Sequence, residues 1–181
     1  LSGNEFNSDI ALSATNGSVA CQCLIYGKST KTEQNNSPTN QDNNEVLYAS
    51  AYGILPGEVD ATKVNSLLET ASINNKTVRF NDGGYIFSST MNIPSNVSII
   101  GNTKTIFKLS TSTSANVLMN LINSDNVYIS HIILDGGLIS QPNTEGNKIG
   151  MSVVSCRSIN IENVEFIGWS KQGLYSKTMS S

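Results

Sequence analysis

Glu162 and Glu165 form an acidic pair whose residue types could serve hydrolysis of a glycosidic bond. That reaction needs two carboxyl groups about 5–10 Å apart, one acting as the acid and the other as base or nucleophile. A turn expected at Asn163 would direct the two side chains to different faces, so we interpret both as solvated surface residues. We assign no catalytic residue from the sequence, and whether the protein is an enzyme stays open.

The single histidine, His131, excludes a histidine-rich metal site or a Ser-His-Asp set within one chain. His131 aligns with Asn163 in the repeat described below, and we expect it to be a hydrogen-bonded turn residue. Asp135 precedes Gly136, where turn formation is its expected role. The sequence therefore predicts no metal site and no cofactor.

The three cysteines do not form a disulfide framework. Cys21 and Cys23 lie on the same side of one predicted strand, a poor geometry for bridging to each other, and Cys156 lies at a predicted turn. Reduced structural thiols fit this pattern and are typical of folding in a cytoplasm. The Cys21-Gln22-Cys23 motif has no second cysteine pair, which makes it a weak zinc candidate.

A repeat of 32 residues must position these side chains. Residues 126–137, NVYISHIILDGG, align with residues 158–169, SINIENVEFIGW, and residues 117–123 align with 149–155. A weaker copy begins at Asn96. Apolar residues alternate with polar ones and β-branched residues dominate, which indicates short strands that recur at a fixed period. Such a repeat predicts a solenoid with about 4.8 Å between neighbouring strands.

The alignment predicts which side chains point into the solenoid. The inward set is Val127, Ile129, Ile132 and Leu134 in one copy and Ile159, Ile161, Val164 and Phe166 in the next. The outward pairs are Tyr128 with Asn160, Ser130 with Glu162, and Ile133 with Glu165. Ile129 and Ile161 should therefore share one interior column.

Residues 138–148, LISQPNTEGNK, interrupt the repeat and are expected to leave it as a loop. Solenoids usually place binding functions on such insertions. Trp169 follows close to this face, where an exposed indole would suit sugar stacking and a buried one would close the repeat. The candidate glycan contacts are Trp169, Tyr128, Glu145 and Asn143.

Composition and charge exclude some functions. Only 14% of the residues are charged and the net charge is −3, which argues against a nucleic-acid surface. About a third of the residues are Asn, Ser or Thr, a composition suited to turns and outward strand faces. The sequence contains no run of about eighteen apolar residues, so it predicts no membrane span. The chain starts without Met and stops within the repeat pattern, so we expect a piece of a longer protein.

Three regions follow from the composition along the chain. Residues 1–31 predict a small β-rich module, and residues 32–46 a polar linker. Residues 47–181 predict the solenoid, with an amphipathic helix at about 61–73 as its lid. Asp60 is a good N-cap for that helix, whose apolar stripe is Val64, Leu67, Leu68 and Ala71. We expect the stacked strands to begin near residue 76.

Residues 51–109 resemble the start of the pectate-lyase-like right-handed parallel β-helix family, in the branch abundant in phage tail spikes and appendages. Gly57, Asp60 and Thr62 keep the skeleton of the family's opening signature, and residues 78–85 match its second segment. Residues 93–101, IPSNVSIIG, match the third segment nearly residue for residue. Pro56 replaces the first Asp of the signature, and Asn81-Asp82 replaces its Pro-Pro.

The resemblance implies an all-β chain that winds as a right-handed parallel β-helix with an N-terminal capping helix. These motifs build the cap and not an active site, so they carry little information about chemistry. Lyases of the superfamily use a cluster of carboxylates that binds calcium. The acidic residues here lie too far apart in the repeat for such a cluster (Asp82, Asp125, Asp135 and Glu145).

A second segment, residues 23–30 with Ser37-Pro38-Thr39, is similar to a segment common in tail and baseplate proteins of phages of Gram-positive bacteria. In that setting it belongs to a small β-rich attachment module. Together the two resemblances imply a component of a phage tail spike, tail fibre or related appendage. Such a protein would sit on the virion tail after folding in the host cytoplasm, and would contact the host cell surface.

The implied partners are two further copies of the chain in a homotrimer, phage tail or baseplate proteins, and host cell-surface polysaccharide. Two alternatives remain open. One is a polysaccharide depolymerase, a hydrolase or lyase, whose catalytic residues lie outside this chain or between subunits. The other is a bacterial surface or secreted β-helix that binds polysaccharide.

Overall fold

The computed structural model describes residues 46–137 and 148–177, together with the backbone of Ser13–Thr15 and Ser18–Leu24. This part of the chain is mostly β and forms parallel sheets, one of them strongly curled. Its helices are α1 (Ala61–Ile73) and a short 3₁₀ helix (Ala49–Tyr52). Its strands are β1 (Ser13–Thr15), β2 (Ser18–Leu24), β3 (Val46–Tyr48), β4 (Gly57–Val59), β5 (Thr77–Arg79), β6 (Gly83–Phe87), β7 (Met91–Asn92), β8 (Ser98–Ile100), β9 (Thr105–Leu109), β10 (Val117–Ile122), β11 (Asp125–Asp135), β12 (Ile149–Val154), β13 (Arg157–Ile167) and β14 (Gln172–Lys177).

The parallel strands form three stacks, which the chain visits repeatedly in the same order. The first stack contains β3, β5, β8 and the first halves of β11 and β13. The second contains β4, β6, β9 and the second halves of β11 and β13. The third contains β7, β10, β12 and β14.

The registers confirm the predicted repeat. In β11 and β13, Ile129 pairs with Ile161 and Leu134 with Phe166, so residues 32 positions apart are direct neighbours. All eight residues of the predicted inward set are buried. The interior column of the first stack also includes buried residues of the earlier strands. Its members in the described strands are Leu47, Val78, Ile99, Ile129 and Ile161.

Aromatic rings fill the interior beside the second stack. Phe107 has its ring centroid 4.9 Å from that of Phe80, 5.3 Å from that of Phe87 and 5.7 Å from that of Tyr85. All of these contacts are edge-to-face, the arrangement that brings the positive edge of one ring onto the negative face of another. Burial raises the pKa of Tyr85, whose hydroxyl donates to the carbonyl of Asn81 at 3.2 Å.

Residues with left-handed backbone turn the chain between stacks. Asn96, Asn126 and Ser158 occupy equivalent positions just before the first stack, with φ of 57°, 56° and 54°. Asn75 holds the same position one strand earlier, with φ 50°. Asn tolerates this conformation better than most residues that carry a Cβ. The Asn126 side-chain amide also donates to Asn96 Oδ1 at 3.1 Å, so neighbouring turns are linked.

Helix α1 has the predicted bounds and the predicted cap. The Asp60 carboxylate accepts from the backbone N–H of Thr62 at 2.9 Å, and the apolar stripe is buried. In the chain, α1 follows β4 and precedes β5, where a strand of the third stack would otherwise be expected. The helix lies beside β7 of that stack: Asn65 Oδ1 accepts from the backbone N–H of Asn92 at 2.9 Å. The expectation that stacking begins near residue 76 was wrong, because β3 and β4 already pair in parallel with β5 and β6.

The β1–β2 hairpin lies within the predicted N-terminal module, most of which falls outside the described residues, as does most of the linker. Strand β2 pairs antiparallel with β13, where Leu24 faces Asn160 and Val19 faces Phe166. The backbone of this segment is therefore joined to the stacks. No helix in the described part of the chain has the length and hydropathy needed to cross a membrane.

Candidate functional site

The outer surface of the first stack carries a group of four polar residues. Tyr128 faces Asn160 across the β11–β13 pair, and Ser130 faces Glu162. Tyr128 and Ser130 are two residues apart on β11, so the four Cα atoms form a rectangle of about 4.8 by 7 Å. The Tyr128 hydroxyl donates to Glu162 Oε2 at 2.9 Å. We refer to these four residues as the Tyr128 rectangle.

Ser130 differs from the sequence expectation. Its register with Glu162 is as predicted, yet its side chain is buried, with 1% of its surface exposed. The Tyr128–Glu162 hydrogen bond joins one diagonal of the rectangle, so the Tyr128 side chain crosses the space between Ser130 and Asn160. Ser130 is thus buried at a position that strand alternation directs outward.

Two polar atoms of the Tyr128 rectangle are buried without a hydrogen-bond partner in the part of the chain that is described: Ser130 Oγ and Asn160 Oδ1. Arg79 Nε is also buried without a partner in the described part of the chain. Arg79 pairs with Ile100, which in turn pairs with Ser130, so Arg79 lies two strands from Ser130 on the same outward side. Buried polar atoms are nearly always paired, either with protein groups or with ordered water. No pattern in the sequence distinguished Ser130 or Asn160 from other residues, because polar residues at outward strand positions are ordinary.

The corner next to the rectangle is formed by His131 and Asn163. Both have left-handed backbone, with φ of 57° and 52°, and Asn163 Nδ2 lies 3.3 Å from His131 Nε2. This confirms His131 as a hydrogen-bonded turn residue. The corner also places Glu162 in the first stack and Glu165 in the second, which confirms that the two carboxylates belong to different faces.

Asp135 has the turn role expected of it. Its Oδ1 accepts from the backbone N–H of Gly137 at 2.8 Å, and its Oδ2 forms an ion pair with Lys108 Nζ at 2.7 Å. Both carboxylate oxygens are thus engaged by the chain itself.

Trp169 is partly buried and closes the repeat. Its indole N–H donates to the carbonyl of Leu134 at 2.9 Å. A Cβ at Gly136 or at Gly150 would lie 2.9 Å from the indole ring, so both glycines make room for it. Trp169 as a glycan contact stays a prediction. The other two candidates, Asn143 and Glu145, lie outside the described residues, as does almost all of the predicted loop.

Lys148, the first described residue after that segment, is held by the main chain. Its Nζ donates to the carbonyl oxygens of Thr113, at 2.9 Å, and Ala115. The ammonium group is therefore occupied in fixing the start of β12 to the preceding segment.

A solvent-exposed ion pair lies at the start of β11 and β13. Arg157 donates to both carboxylate oxygens of Asp125, with Nη2 2.8 Å from Oδ2. This hydrogen bonding from the Arg157 side chain lowers the pKa of Asp125 below its usual value. The pair is exposed, and we interpret it as a link between neighbouring strands.

No metal centre is evident among residues 46–137 and 148–177, where no three His, Cys, Asp or Glu side chains come together. Cys156 is a free thiol whose Sγ donates to the carbonyl of Val154 at 3.3 Å, which fits a structural role. The side chains of Cys21 and Cys23 lie outside the described part.

Comparison with known proteins identifies no relative: no family model, no curated protein and no solved structure matches this chain.

Proposed function

We propose that this chain belongs to a phage tail spike, tail fibre or related appendage that contacts the host surface, and that its strands wind as a right-handed parallel β-helix. The observation that carries the proposal is the continuous interior column from Leu47 to Ile161. A chain that returns to the same three stacks in the same order, with one residue per round in that column, is what such a winding requires.

The geometry of the family-like motifs supports the same proposal. Asp60 of the opening signature caps α1, and Gly57 has φ 120°, a conformation that favours glycine. In the segment 93–101, Asn96 has φ 57° and turns the chain. A Cβ at Gly101 would lie 2.3 Å from the carbonyl oxygen of His131. The residues that resemble the family therefore each have a physical task.

The proposed setting includes partners. In it the chain forms a homotrimer on the virion tail, its N-terminal segment attaches to tail or baseplate proteins, and its outer surface meets host polysaccharide. Three parallel solenoids side by side would present three copies of each outer surface, and multivalent contact raises the avidity for a repetitive polymer.

Immunoelectron microscopy tests the assignment. Antibodies against the purified chain are applied to tailed particles induced from the strain that carries this sequence. Gold at the tail tip is expected. Particles without label, together with the chain in the secreted or cell-wall fraction, would instead favour the bacterial surface protein. Sedimentation of the complete chain as a monomer would remove the trimer from the proposal.

Polysaccharide cleavage is not assigned to the described residues. Glu162 and Glu165 lie in different stacks, and Glu162 accepts from Tyr128. Reducing-sugar release from host wall glycan by the complete protein would identify a depolymerase, with its catalytic residues elsewhere in that protein or between subunits.

A further inference from the structure

We infer that β2 is a built-in strand that covers the edge of β13 and prevents that edge from pairing with a second copy of the chain. The backbone pairing of β2 with β13 places the cover, and the edge that it occupies defines what it excludes. This role is additional to the attachment proposed above for the N-terminal segment and does not require it.

The length of β13 makes its edge the one that most needs a cover. Strand β13 has 11 residues. The other strands of the stacks that pair on one side only, within the described part of the chain, are shorter: β3 and β4 have 3 residues each, β7 has 2 and β14 has 6. A long row of unpaired backbone N–H and C=O groups is a template on which another molecule can add a strand. Without β2, β13 would present the longest such row among the described strands.

Strand β2 occupies the position that a further strand of the first and second stacks would have. It runs antiparallel to β13, whereas the strands within the stacks run parallel to one another. Residues 23 and 24 pair with β13 before the bend at Asn163, and residues 19–21 pair with it after the bend. A single strand of 7 residues therefore covers the edge of both stacks.

The register at the bend keeps β2 in phase with the interior of the stacks. The residues of β2 that pair with the buried inward set of β13 are all apolar, and the pairs are Cys23–Ile161, Cys21–Val164 and Val19–Phe166. Between the first two pairs β13 has two residues where β2 has one, so β2 needs no bend of its own. A shift of one residue would put the polar Gln22 in register with an inward residue. The alternation of β2 and its pairing therefore agree, and this agreement carries the inference.

The β1–β2 hairpin ends the sheet with strands of decreasing length. Strand β13 has 11 residues, β2 has 7 and β1 has 3, and β1 pairs only with Ser18–Ala20 of β2. Short edge strands are one of the devices by which proteins discourage edge-to-edge association. The hairpin thus replaces a long edge with a short one, as a blocking element must.

The connection between β2 and β3 is long enough for the cover to come from the same molecule. The two strands lie at opposite ends of the order β2-β13-β11-β8-β5-β3, which is about 24 Å at the spacing of neighbouring strands. Residues 25–45 join them and would reach about 70 Å if fully extended. Pairing within one chain has a higher effective concentration than pairing between dilute molecules. The chain's own strand therefore excludes a second copy from this edge.

Lysine substitutions at two adjacent positions test the cover. Val19→Lys puts a charge in register with the buried Phe166, so β2 should leave β13. Ala20→Lys is the matched control, since residue 20 pairs with Glu165 and opposite charges on paired residues are favourable. The β13 amides that face β2 should exchange their hydrogens roughly tenfold faster in Val19→Lys than in wild type, because they lose their partners. Ala20→Lys should exchange as wild type does.

Sedimentation velocity tests the blocking role. At the same concentration, Val19→Lys should form assemblies heavier than those of wild type, because the uncovered edge of β13 can pair with another molecule. Ala20→Lys should sediment as wild type does. Slow hydrogen exchange of Tyr128–Ser130 in β11 of both variants shows that the stacks stay folded, so that association is not a result of unfolding.

Disulfide trapping tests whether the pairing lies within one molecule. Ala20→Cys combined with Glu165→Cys places thiols on directly paired residues, which mild oxidation should join within a monomer. Ala20→Cys combined with Ile133→Cys is the control, because Ile133 lies one strand beyond Glu165. Two strand spacings are about 9.6 Å, which exceeds the reach of a disulfide. Mass spectrometry of peptides under non-reducing conditions locates the bond.

Each outcome bears on one part of the inference. Unchanged exchange of β13 in Val19→Lys would overturn β2 as the cover. Faster exchange of β13 with unchanged sedimentation would overturn the blocking role. A disulfide that joins two molecules instead of one would overturn cover by the chain's own strand. All three results leave host attachment standing, since labelling of tailed particles tests that proposal separately.

Discussion

At the scale of single residues, close packing explains several identities that composition does not. Gly101 lies where the backbone of β11 approaches closely: a Cβ there would be 2.3 Å from the carbonyl oxygen of His131 and 2.8 Å from Thr105 Cβ. Real Cβ atoms do not approach a carbonyl oxygen so closely, so the chain or its neighbour would have to shift. Gly101 is thus required by contact, and its backbone needs no left-handed conformation.

Gly101→Ala should lower the free energy of unfolding by about 1–3 kcal/mol, the usual effect of overpacking a buried position. Gly84→Ala is the matched control, because a Cβ at Gly84 would meet nothing within 4 Å and its φ is not in the left-handed range. Alanine there should be neutral or slightly stabilising. Urea unfolding of both variants measures the difference, and equal midpoints would contradict the steric argument.

The Asp125–Arg157 pair gives a prediction about pH. The folded-state pKa of Asp125 is lowered, so its contribution to stability is present above the unfolded pKa of about 3.9 and is lost as pH falls through the folded pKa. Both groups are exposed, so this contribution is small. Arg157→Gln should raise the pKa of Asp125 toward its usual value, as followed by NMR titration of the carboxyl carbon.

Part of the Asp125 shift should persist in that variant, since the backbone N–H of residue 157 still donates to Asp125 Oδ1. An unchanged Asp125 titration in Arg157→Gln would show that the side-chain bond does not form in solution.

The sequence predicted the burial of single residues correctly where the alternation of side chains along a strand determines it. The prediction failed where contacts between side chains of neighbouring strands matter. The buried and outward positions of β11 follow from the period of a strand, which is why Ile129 and Leu134 were identified. Ser130 also follows this rule in direction, but neither its burial nor the hydrogen bond between Tyr128 and Glu162 beside it was predicted. No linear pattern records a contact between residues 34 positions apart.

At the scale of elements, two features define the architecture: the bend that divides each long strand, and the helix that replaces a strand. Strand β11 pairs with β8 before His131 and with β9 after it, and β13 bends in the same way at Asn163. A single left-handed residue therefore moves the chain from one stack to the next without ending the strand.

His131→Asn should have little effect on stability, because Asn163 shows that asparagine fits the equivalent bend. His131→Val should lower the free energy of unfolding by about 1–2 kcal/mol, since a β-branched residue in left-handed conformation is strained. Chemical denaturation of the pair measures this. A valine variant as stable as the asparagine variant would show that the bend does not depend on the conformation of residue 131.

Helix α1 was predicted with its bounds because its signals are local: the Asp60 cap and an apolar stripe of period 3.6. Its position beside β7 was not predicted. That position depends on the Asn65 side chain, which accepts from the backbone of Asn92 as a neighbouring strand would. The hydrophobic periodicity of α1 or of β7 does not indicate that the helix lies where a strand would otherwise be expected.

Leu68→Ala should lower the free energy of unfolding by about 2–5 kcal/mol, because Leu68 is fully buried in the core under the helix. Ile73→Ala in the same helix is the control, since 81% of Ile73 is exposed and little packing is lost. Thermal unfolding of both variants provides the measurement. A similar loss in the two would mean that the helix does not cover the interior.

At the scale of the whole molecule, stability is distributed along a stack of strands in which each strand contacts mainly its neighbours. Strands β8 and β11 have partners on both sides, whereas β3 pairs with β5 alone among the described strands. In such quasi-one-dimensional structures local opening is easier at an end than in the middle.

Amide hydrogen exchange should therefore be slower for Tyr128–Ser130 of β11 than for Val46–Tyr48 of β3. Mass spectrometry of peptides covering the two strands can follow the exchange. Equal protection throughout would indicate one all-or-none unit, which would contradict the end-to-middle gradient.

Unequal spacing in sequence produces equal spacing in space within the first stack. Successive members of its interior column, Leu47, Val78, Ile99, Ile129 and Ile161, are separated by 31, 21, 30 and 32 positions. The differences in length lie between the members of the column, so codons can be gained or lost there in frame while the apolar column is kept. A lineage of such genes can therefore vary its surface segments under selection without rebuilding the scaffold that carries them.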